Sequence, residues 1–208
     1  MGEIVIEEDS IIKQELRSYI DRLIAKGEPV LAAIDGDAAA GKSTLAAELK
    51  QAYDCNVVHI DHFFLRPEQR TGERLAEPGG NVDYERFAAE GLAPMQAHRT
   101  FSYRPFDCKT LDFGPEIVIQ SRPLTVVEGA YSLHPIFGEP YHVKIFLTVD
   151  GAEQVRRIKA RNGEAQSEQF QKIWIPMEKR YFSHFDIQAR CDFVLRLCNS
   201  GRGRTALI

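Results

Sequence analysis

The stretch VLAAIDGDAAAGKSTLAAELKQAY, residues 30–53, decides the fold. Its first five residues are an unbroken apolar run, which is typical of a strand buried on both faces of a parallel sheet. The segment 36–43 then has the spacing GxxxxGKS, and residues 44–53 have the composition of a helix. A loop between a buried strand and a helix presents backbone N–H groups at the helix N-terminus, so the sequence predicts a phosphate-binding loop.

The residues of this loop have definite expected roles towards ATP and Mg²⁺. Lys42 is expected to reach the β and γ phosphates, and Ser43 is expected to hold Mg²⁺. The dipole of the following helix adds partial positive charge at the same place. A glycine-containing turn without a ligand is the alternative. The residues predicted to contact ATP are Gly36, Asp37, Ala38, Ala39, Ala40, Gly41, Lys42, Ser43 and Thr44.

The interior of the loop is unusual, because an acid and three alanines stand between the two glycines. Phosphate is bound by backbone N–H groups, so alanines can form a phosphate-binding loop if their φ angles stay negative. The carboxylate of Asp37 has to point away from the phosphates, because like charge would weaken binding. We expect it to cap local backbone N–H groups or to face the acceptor side.

Length and composition predict a single domain spanning residues 1–208. The net charge of −4, without a basic run, argues against binding to nucleic acid backbones. No apolar stretch approaches the roughly 18 residues of a membrane span, and the acidic N-terminus does not resemble a signal peptide. The four cysteines form no CxxC pair, which favours reduced thiols and a cytoplasmic protein over a disulfide or zinc framework.

Along the chain, strand patterns alternate with helix patterns, which predicts a mostly parallel sheet wrapped by helices. Ser10 is expected to cap the first helix, and Pro176 to interrupt the last one. The segment 65–82 lacks periodicity and is predicted to be functional or mobile. Strands are predicted at 30–34, 56–60, 123–129, 142–150 and 191–197, helices at 44–53, 84–92, 152–162 and 167–185, and a hairpin from TFSYRPFDC and EIVIQS.

Two acids stand where predicted strands end. Asp61 follows the second strand and Glu128 ends a later one. In sheets of this kind, ligands bind at the carboxyl ends of the strands. Asp61 could therefore accept a proton from an attacking hydroxyl, and Glu128 could bind Mg²⁺ directly or through water. A turn cap for Asp61 and a solvated strand end for Glu128 are the alternatives.

The helix predicted at 152–162 carries Arg157 and Arg161 one turn apart. The pair could close over the triphosphate as a lid spanning about 156–168, although a solvated basic face is the alternative. The sequence lacks the NKxD and DxxG motifs of a GTPase. The DFG at 112–114 lacks the other protein-kinase signatures, and we interpret it as part of a turn.

Together these segments resemble the uridine kinase and phosphoribulokinase family of P-loop kinases. The resemblance rests on GDAAAGKSTL, IDHFF, GGNVDYERF, VVEGAYSLH, KIFLTVDGAEQVRRIKARN and IWIPMEKRYF with ARCDFVL, in order along nearly the whole chain. It implies an α/β fold of the P-loop NTPase type, with a parallel five-stranded sheet wrapped by helices. It also implies a β-hairpin insertion at about 99–121 over the acceptor. Members of the family often assemble, so a homo-oligomer is conceivable.

For the site, the resemblance implies that Asp61 is the general base, that Glu128 lies near Mg²⁺, and that Asp83 grips acceptor hydroxyls. It also places Arg157 and Arg161 in the lid. From the residues alone, Asp83 could equally cap the helix that begins at Tyr84.

The sequence departs from the family in the segment that reads the base. Uridine kinases look as if they need Tyr-Asp-Phe and then His, whereas this chain has Phe106-Asp107-Cys108 followed by Lys-Thr-Leu. Phe106 can stack on a base but cannot form a hydrogen bond with it. Tyr103 and Arg104 could take over that role, and Arg66, Arg70 and Arg74 could bring charge to an anionic acceptor or simply form a solvated loop.

The sequence therefore predicts an ATP- and Mg²⁺-dependent small-molecule kinase that phosphorylates a hydroxyl. A nucleoside is the leading acceptor class. Pantothenate, a sugar or a sugar phosphate is the alternative acceptor. A regulatory ATPase that uses the hairpin to hold a partner is the alternative of a different class.

Overall fold

The apolar run at 30–34 forms the centre of a six-stranded sheet with the order β10-β9-β8-β1-β7-β2. The structure is a computed structural model that describes the backbone of residues 7–200 and 204–207 and the side chains of residues 13–196. The strands are β1 (Val30–Gly36), β2 (Cys55–His59), β3 (Phe101–Tyr103), β4 (Phe106–Asp107), β5 (Asp112–Phe113), β6 (Ile117–Ile119), β7 (Leu124–Glu128), β8 (Val143–Val149), β9 (Phe193–Ser200) and β10 (Arg204–Leu207).

Five of the strands in the large sheet are parallel, as predicted. The antiparallel edge strand β10 was not predicted. The expected hairpin forms two short antiparallel pairs, in which β3 pairs with β6 and β4 pairs with β5. Within residues 7–200 and 204–207, no helix combines the length and apolarity that crossing a membrane requires.

The helices cover both faces of the sheet and match most of the predicted ones. They are α1 (Glu7–Ile24), α2 (Lys42–Ala52), α3 (Gly72–Ala76), α4 (Tyr84–Arg86, Phe87–Leu92 and Ala93–Gln96), α5 (Gly151–Asn162) and α6 (Glu164–Gln169, Phe170–Trp174 and Ile175–His184), with short 3₁₀ turns at Ile60–Phe63, Pro67–Gln69, Pro135–Phe137 and Gln188–Arg190. The first helix begins at Glu7, so the predicted start at Ser10 is wrong.

Helix α6 continues through Pro176, contrary to the predicted interruption. The irregularity precedes the proline, as the π-helical segment Phe170–Trp174. Helix α4 repeats this pattern, because a π-helical segment at Phe87–Leu92 precedes Pro94. Wider turns allow a helix to pass a residue that lacks the N–H for an i→i−4 hydrogen bond.

The core consists of one apolar cluster on each face of the sheet. On one face, Leu16 and Ile20 of α1 pack with Leu45 and Leu49 of α2. On the other face, Phe87 of α4 belongs to a cluster that also includes residues of α6. Each fully buried side chain of this size stabilises the fold by about 1.5–3 kcal/mol.

The segment 65–82 is ordered around Arg74. The guanidinium of Arg74 lies 3.5 Å from the ring centroid of Tyr84 and donates to the carbonyls of Gly80 and Val82. It also forms a two-point ion pair with Glu85, with N–O distances of 2.9 and 2.7 Å. These contacts fix the segment against α4, and they place Arg70 and Asn81 beside the carboxyl ends of the strands.

Candidate active site

The phosphate loop connects the end of β1 to α2. A side chain at Gly36 would place its Cβ 1.9 Å from the carbonyl oxygen of Leu147, and its φ of 131° also requires glycine. Ala40 N donates to the carbonyl of Asp37, and the third residue of this turn, Ala39, has a φ of 61°. The expectation that the alanines avoid positive φ is therefore wrong at Ala39, where the turn requires it at a cost of about 1–2 kcal/mol.

The carboxylate of Asp37 is turned away from the loop, towards the end of β8. It accepts hydrogen bonds from the hydroxyl of Thr148 at 2.7 Å and from the N–H of Val149 at 3.1 Å. An acid in this position ties the loop to the neighbouring strand. The negative charge of Asp37 therefore serves to hold the loop against β8.

The predicted phosphate and metal residues lie together at the start of α2. Lys42 Nζ donates to the carbonyls of Gly36 and Asp37, at 2.7 and 2.9 Å. The hydroxyl of Ser43 contacts both carboxylate oxygens of Glu128, at 3.1 and 3.2 Å. These hard oxygen donors fit Mg²⁺, which binds to one or two protein oxygens and completes its shell with phosphate and water. In the part of the chain that the structure describes, no group of three or more His, Cys, Asp or Glu side chains is arranged to hold a metal ion by itself.

His59 is a neighbour of Glu128 that sequence reasoning missed. The parallel pairing of β2 with β7 places these residues side by side, and His59 Nδ1 lies 2.5 Å from Glu128 Oε1. Burial alone would raise the pKa of Glu128, but the hydrogen bond and charge of His59 and the charge of Lys42 hold it below its ordinary value. Glu128 is therefore ionised at neutral pH, as a metal ligand requires.

Asp61 lies in the 3₁₀ turn that follows β2 and lines the same cleft as the phosphate loop. Within residues 13–196, no side chain or backbone group donates a hydrogen bond to its carboxylate. Desolvation raises the pKa of Asp61, the positive charge of Lys42 opposes this, and the negative charge of Glu128 adds to it. An unpaired carboxylate with a raised pKa, open to a cleft, is suited to accept a proton.

Arg157 and Arg161 also line the cleft, so α5 places the predicted lid residues over the loop. Arg157 is oriented by Glu153, which sequence reasoning missed. Glu153 accepts hydrogen bonds from Arg157 Nε at 2.7 Å and from Arg156, and these bonds lower its pKa to about 2. Arg161 Nε donates to the side chain of Asn162 at 2.7 Å.

The residues predicted to contact the acceptor are not on the surface of the cleft. Asp83 is 3% exposed, and its two carboxylate oxygens accept hydrogen bonds from the N–H of Arg86 and from the side chain of Gln69. Asp83 thus caps α4, which was the alternative interpretation. Its carboxylate has no free oxygen facing an acceptor in this arrangement.

The other three predicted acceptor residues hold the hairpin together. Tyr103 is 3% exposed, and its hydroxyl lies 3.0 Å from His62 Nδ1. Phe106 is buried against Phe113, and Arg104 donates to the carbonyls of Phe113 and Gly114. We therefore do not assign acceptor contacts to these three residues.

A single large cleft, of about 930 Å³, joins the phosphate loop to the lid and the hairpin turn. On the lid side it is lined by Gln166, Gln169, Phe170 and Trp174, and on the hairpin side by Phe64, Arg70, Asn81, Cys108, Lys109 and Tyr131. Trp174 is the one tryptophan of the chain, so its fluorescence can report binding in the cleft.

Two buried acids, Asp35 and Glu178, accept hydrogen bonds from backbone N–H groups of the loop, and sequence reasoning identified neither. Asp35 accepts hydrogen bonds from the N–H groups of Gly36, Tyr131 and Leu133 and from the hydroxyl of Tyr181, and burial raises its pKa to about 6. Glu178 accepts the N–H of Ala38 at 3.0 Å. The chain separations of these bonds, up to 146 residues, leave no local pattern in the sequence.

Glu178→Gln is expected to stabilise the protein at pH 8. Burial raises the pKa of Glu178 to about 7, Lys42 opposes this, and Asp37 and Asp35 add to it. Because the folded state favours the protonated acid, ionisation costs stability as pH rises from about 4.5 to about 7. The variant should gain about 2–3 kcal/mol in unfolding free energy at pH 8 and little at pH 5.

Chemical denaturation at both pH values measures this difference. Glu168→Gln is the control, because Glu168 lies on the same helix but is exposed and paired with Lys172. Equal stability of Glu178→Gln and wild type at pH 8 would contradict the prediction.

Comparison with known proteins supports the fold. No protein-family model and no curated protein sequence matches the chain. A possible uridine kinase from Bacillus stearothermophilus superposes with a TM-score of 0.60 at 18% identity, over 86% of this chain and 98% of that one. A D-glycerate 3-kinase from Cryptococcus neoformans superposes with a TM-score of 0.58 at 14% identity, over 88% and 93%. The predicted α/β kinase fold is thereby confirmed.

Proposed function

We propose that this protein is a kinase that transfers the γ-phosphoryl group of ATP to a hydroxyl of a small molecule. The observation that carries the proposal is the open, unpaired carboxylate of Asp61 in the same cleft as the phosphate loop and the lid arginines. The pairing of Ser43 with Glu128 adds a place for Mg²⁺. A cytoplasmic location and assembly into oligomers stay predictions.

In the proposed reaction, the chain's own residues position the phosphates and move one proton. The loop N–H groups and Lys42 bind the phosphates, and Arg157 and Arg161 neutralise charge on the transferred group. Bound Mg²⁺, held through Ser43 and Glu128, supplies further neutralisation of phosphate charge. Asp61 accepts the proton of the acceptor hydroxyl, whose oxygen bonds to the γ phosphorus while the bond to ADP breaks.

The fold alone does not determine which acceptor is phosphorylated. One similar structure is a possible uridine kinase and the other a D-glycerate 3-kinase, so the shared fold is compatible with different acceptors. The sequence favoured a nucleoside as the acceptor, but Tyr103 and Phe106, which were expected to contact its base, are buried, and Arg104 bonds to carbonyls of the hairpin. We therefore propose a polyol, with or without an attached base, as the class of acceptor.

We expect ADP production that depends on both Mg²⁺ and an acceptor. The test measures ADP release with nucleosides, sugars, sugar phosphates, hydroxy acids and pantothenate, and detects the phosphorylated product by mass spectrometry. ATP hydrolysis that is indifferent to every hydroxyl compound would contradict the kinase and would favour the regulatory ATPase.

A further inference from the structure

Two cations face the acceptor side of the cleft, on segments that do not belong to the phosphate loop. Arg70 follows the 3₁₀ turn Pro67–Gln69, and Lys109 lies in the turn between β4 and β5. Both side chains line the cleft that contains Asp61.

Arg70 differs from the arginines around it in having no acidic partner. Between residues 66 and 86, all of which the structure describes, Arg66 pairs with Glu68, Arg74 with Glu85 and Arg86 with Glu90. Arg70 instead donates to the carbonyl of Leu65 and lies 3.6 Å from the sulfur of Cys108. These neutral contacts orient the guanidinium and leave its charge uncompensated.

Lys109 adds a second uncompensated charge. Its backbone N–H donates to Asp107, which fixes the turn. Within the described residues, no acid lies within ion-pair distance of its ammonium group. The chain as a whole has a net charge of −4, so two free cations in one cleft do not reflect a general excess of basic residues.

The same part of the cleft contains a polar side chain whose amide is open to the cleft and free of protein partners among the described residues. Asn81 is 8% exposed and lines the cleft, and its amide makes no hydrogen bond to any residue in 13–196. Tyr131, also on the lining, is held at a φ of 78°, a strained value for a residue other than glycine. An amide that is free to bind a ligand in the cleft, together with a strained residue beside it, is typical of a binding site.

This region is close to the proposed catalytic base. Burial raises the pKa of the Cys108 thiol, the charge of Arg70 opposes this, and the charge of Asp61 adds to it. Cys108 therefore lies within electrostatic range of both Arg70 and Asp61. Arg70 and Asp61 also line the same cleft, which is the geometry that an acceptor contacting both residues requires.

We propose that Arg70 and Lys109 bind an anionic group of the phosphoryl acceptor, a carboxylate or a phosphate, while Asn81 binds one of its hydroxyls. The inference rests on the proposed function and narrows its substrate to anionic polyols. A guanidinium offers paired N–H donors that match either anion, and the charged hydrogen bonds are strong in a partly desolvated cleft.

The first test is the acceptor preference of the wild-type protein. Matched sets with three, five and six carbons compare a neutral polyol, its hydroxy acid and its phosphate, such as glycerol, glycerate and glycerol 3-phosphate. We expect kcat/KM for one anionic member to exceed that of the neutral polyol by about 100-fold. Whether the acid or the phosphate is preferred identifies the anion. A preference for neutral polyols would overturn the inference.

The second test uses Arg70→Ala and Lys109→Ala. Arg70→Ala should remove most of the preference for the anion, through KM, so that kcat/KM falls much further for the anionic acceptor than for the neutral polyol. Arg99→Ala is the matched control, because Arg99 is exposed near the hairpin and lies outside this cleft. An equal loss of activity towards neutral and anionic acceptors in Arg70→Ala would overturn the inference.

A binding test separates failure of the anion site from failure of the kinase. Cys108 is exposed and contacts Arg70, whereas Cys55 is buried. Alkylation of Cys108 by iodoacetamide, followed by peptide mass spectrometry, should slow several-fold with the anionic compounds and not with glycerol. Arg70→Ala should abolish this protection. Protection without any phosphoryl transfer would sustain the anion site and contradict the kinase, whereas transfer without protection would overturn the anion site.

Discussion

Lys42→Ala should reduce phosphoryl transfer by at least about 10³-fold, since its ammonium is the cation built into the phosphate loop. In the structure Lys42 Nζ lies 2.7 Å from the carbonyl of Gly36 and 2.9 Å from that of Asp37, at the mouth of the loop. A phosphate bound there would be expected to draw the ammonium from the carbonyls. The loss should appear in kcat and also in ATP affinity.

The measurement is the ADP-release assay with the best acceptor, together with quenching of Trp174 fluorescence by ATP. Lys50→Ala is the matched control, since Lys50 lies on the same helix, is exposed and is outside the cleft. Thermal unfolding of both variants checks that the loop carbonyls do not need the ammonium for folding. More than a tenth of wild-type activity in folded Lys42→Ala would contradict the assigned role.

Asp61→Asn should lower kcat by about 10²–10⁴-fold while leaving ATP binding unchanged. The amide has the shape of the acid but cannot accept the hydroxyl proton. Because desolvation raises the pKa of Asp61, activity of the wild type should fall on acidification at a higher pH than an ordinary aspartate would give. This acid limb should be absent from the residual activity of Asp61→Asn.

Rates across pH and Trp174 titrations with ATP measure the two parts of this prediction. Asp54→Asn is the control, because Asp54 is exposed and pairs with Arg122 away from the cleft. The Asn variant should also unfold at the same or a higher temperature, since it removes a partly desolvated charge near Glu128. A rate close to wild type would show that another group takes the proton.

The sequence predicted those parts of the fold and site that depend on local pattern. The unbroken apolar run at the start of β1, the mostly apolar strands β7 and β8, and the spacing of the loop identified the sheet and the phosphate site. Asp61 and Glu128 could be found because Asp61 follows β2 and Glu128 ends β7, and parallel pairing brings the ends of these strands together.

The remaining site residues could not be predicted, because their contacts connect distant parts of the chain. Glu178 reaches Ala38 across 140 residues, and nothing near either residue indicates the bond. Three residues of the hairpin were expected to contact the acceptor, but Tyr103 and Phe106 are buried and Arg104 bonds to the hairpin backbone. Arg70 was one of three arginines in its segment, and only the pairing of its neighbours with acids distinguishes it.

The hydrogen bonds of Asp35 affect when, during synthesis, the phosphate loop can reach its final structure. The carboxylate of Asp35 accepts hydrogen bonds from residues 36, 131, 133 and 181, so the residue that precedes the phosphate loop depends on α6, which is far from the loop in the sequence. Domains fold as their segments emerge from the ribosome. A nascent chain from which Tyr181 has not yet emerged would hold its loop without that support, and tight capture of nucleotide would begin only after α6 has been synthesised.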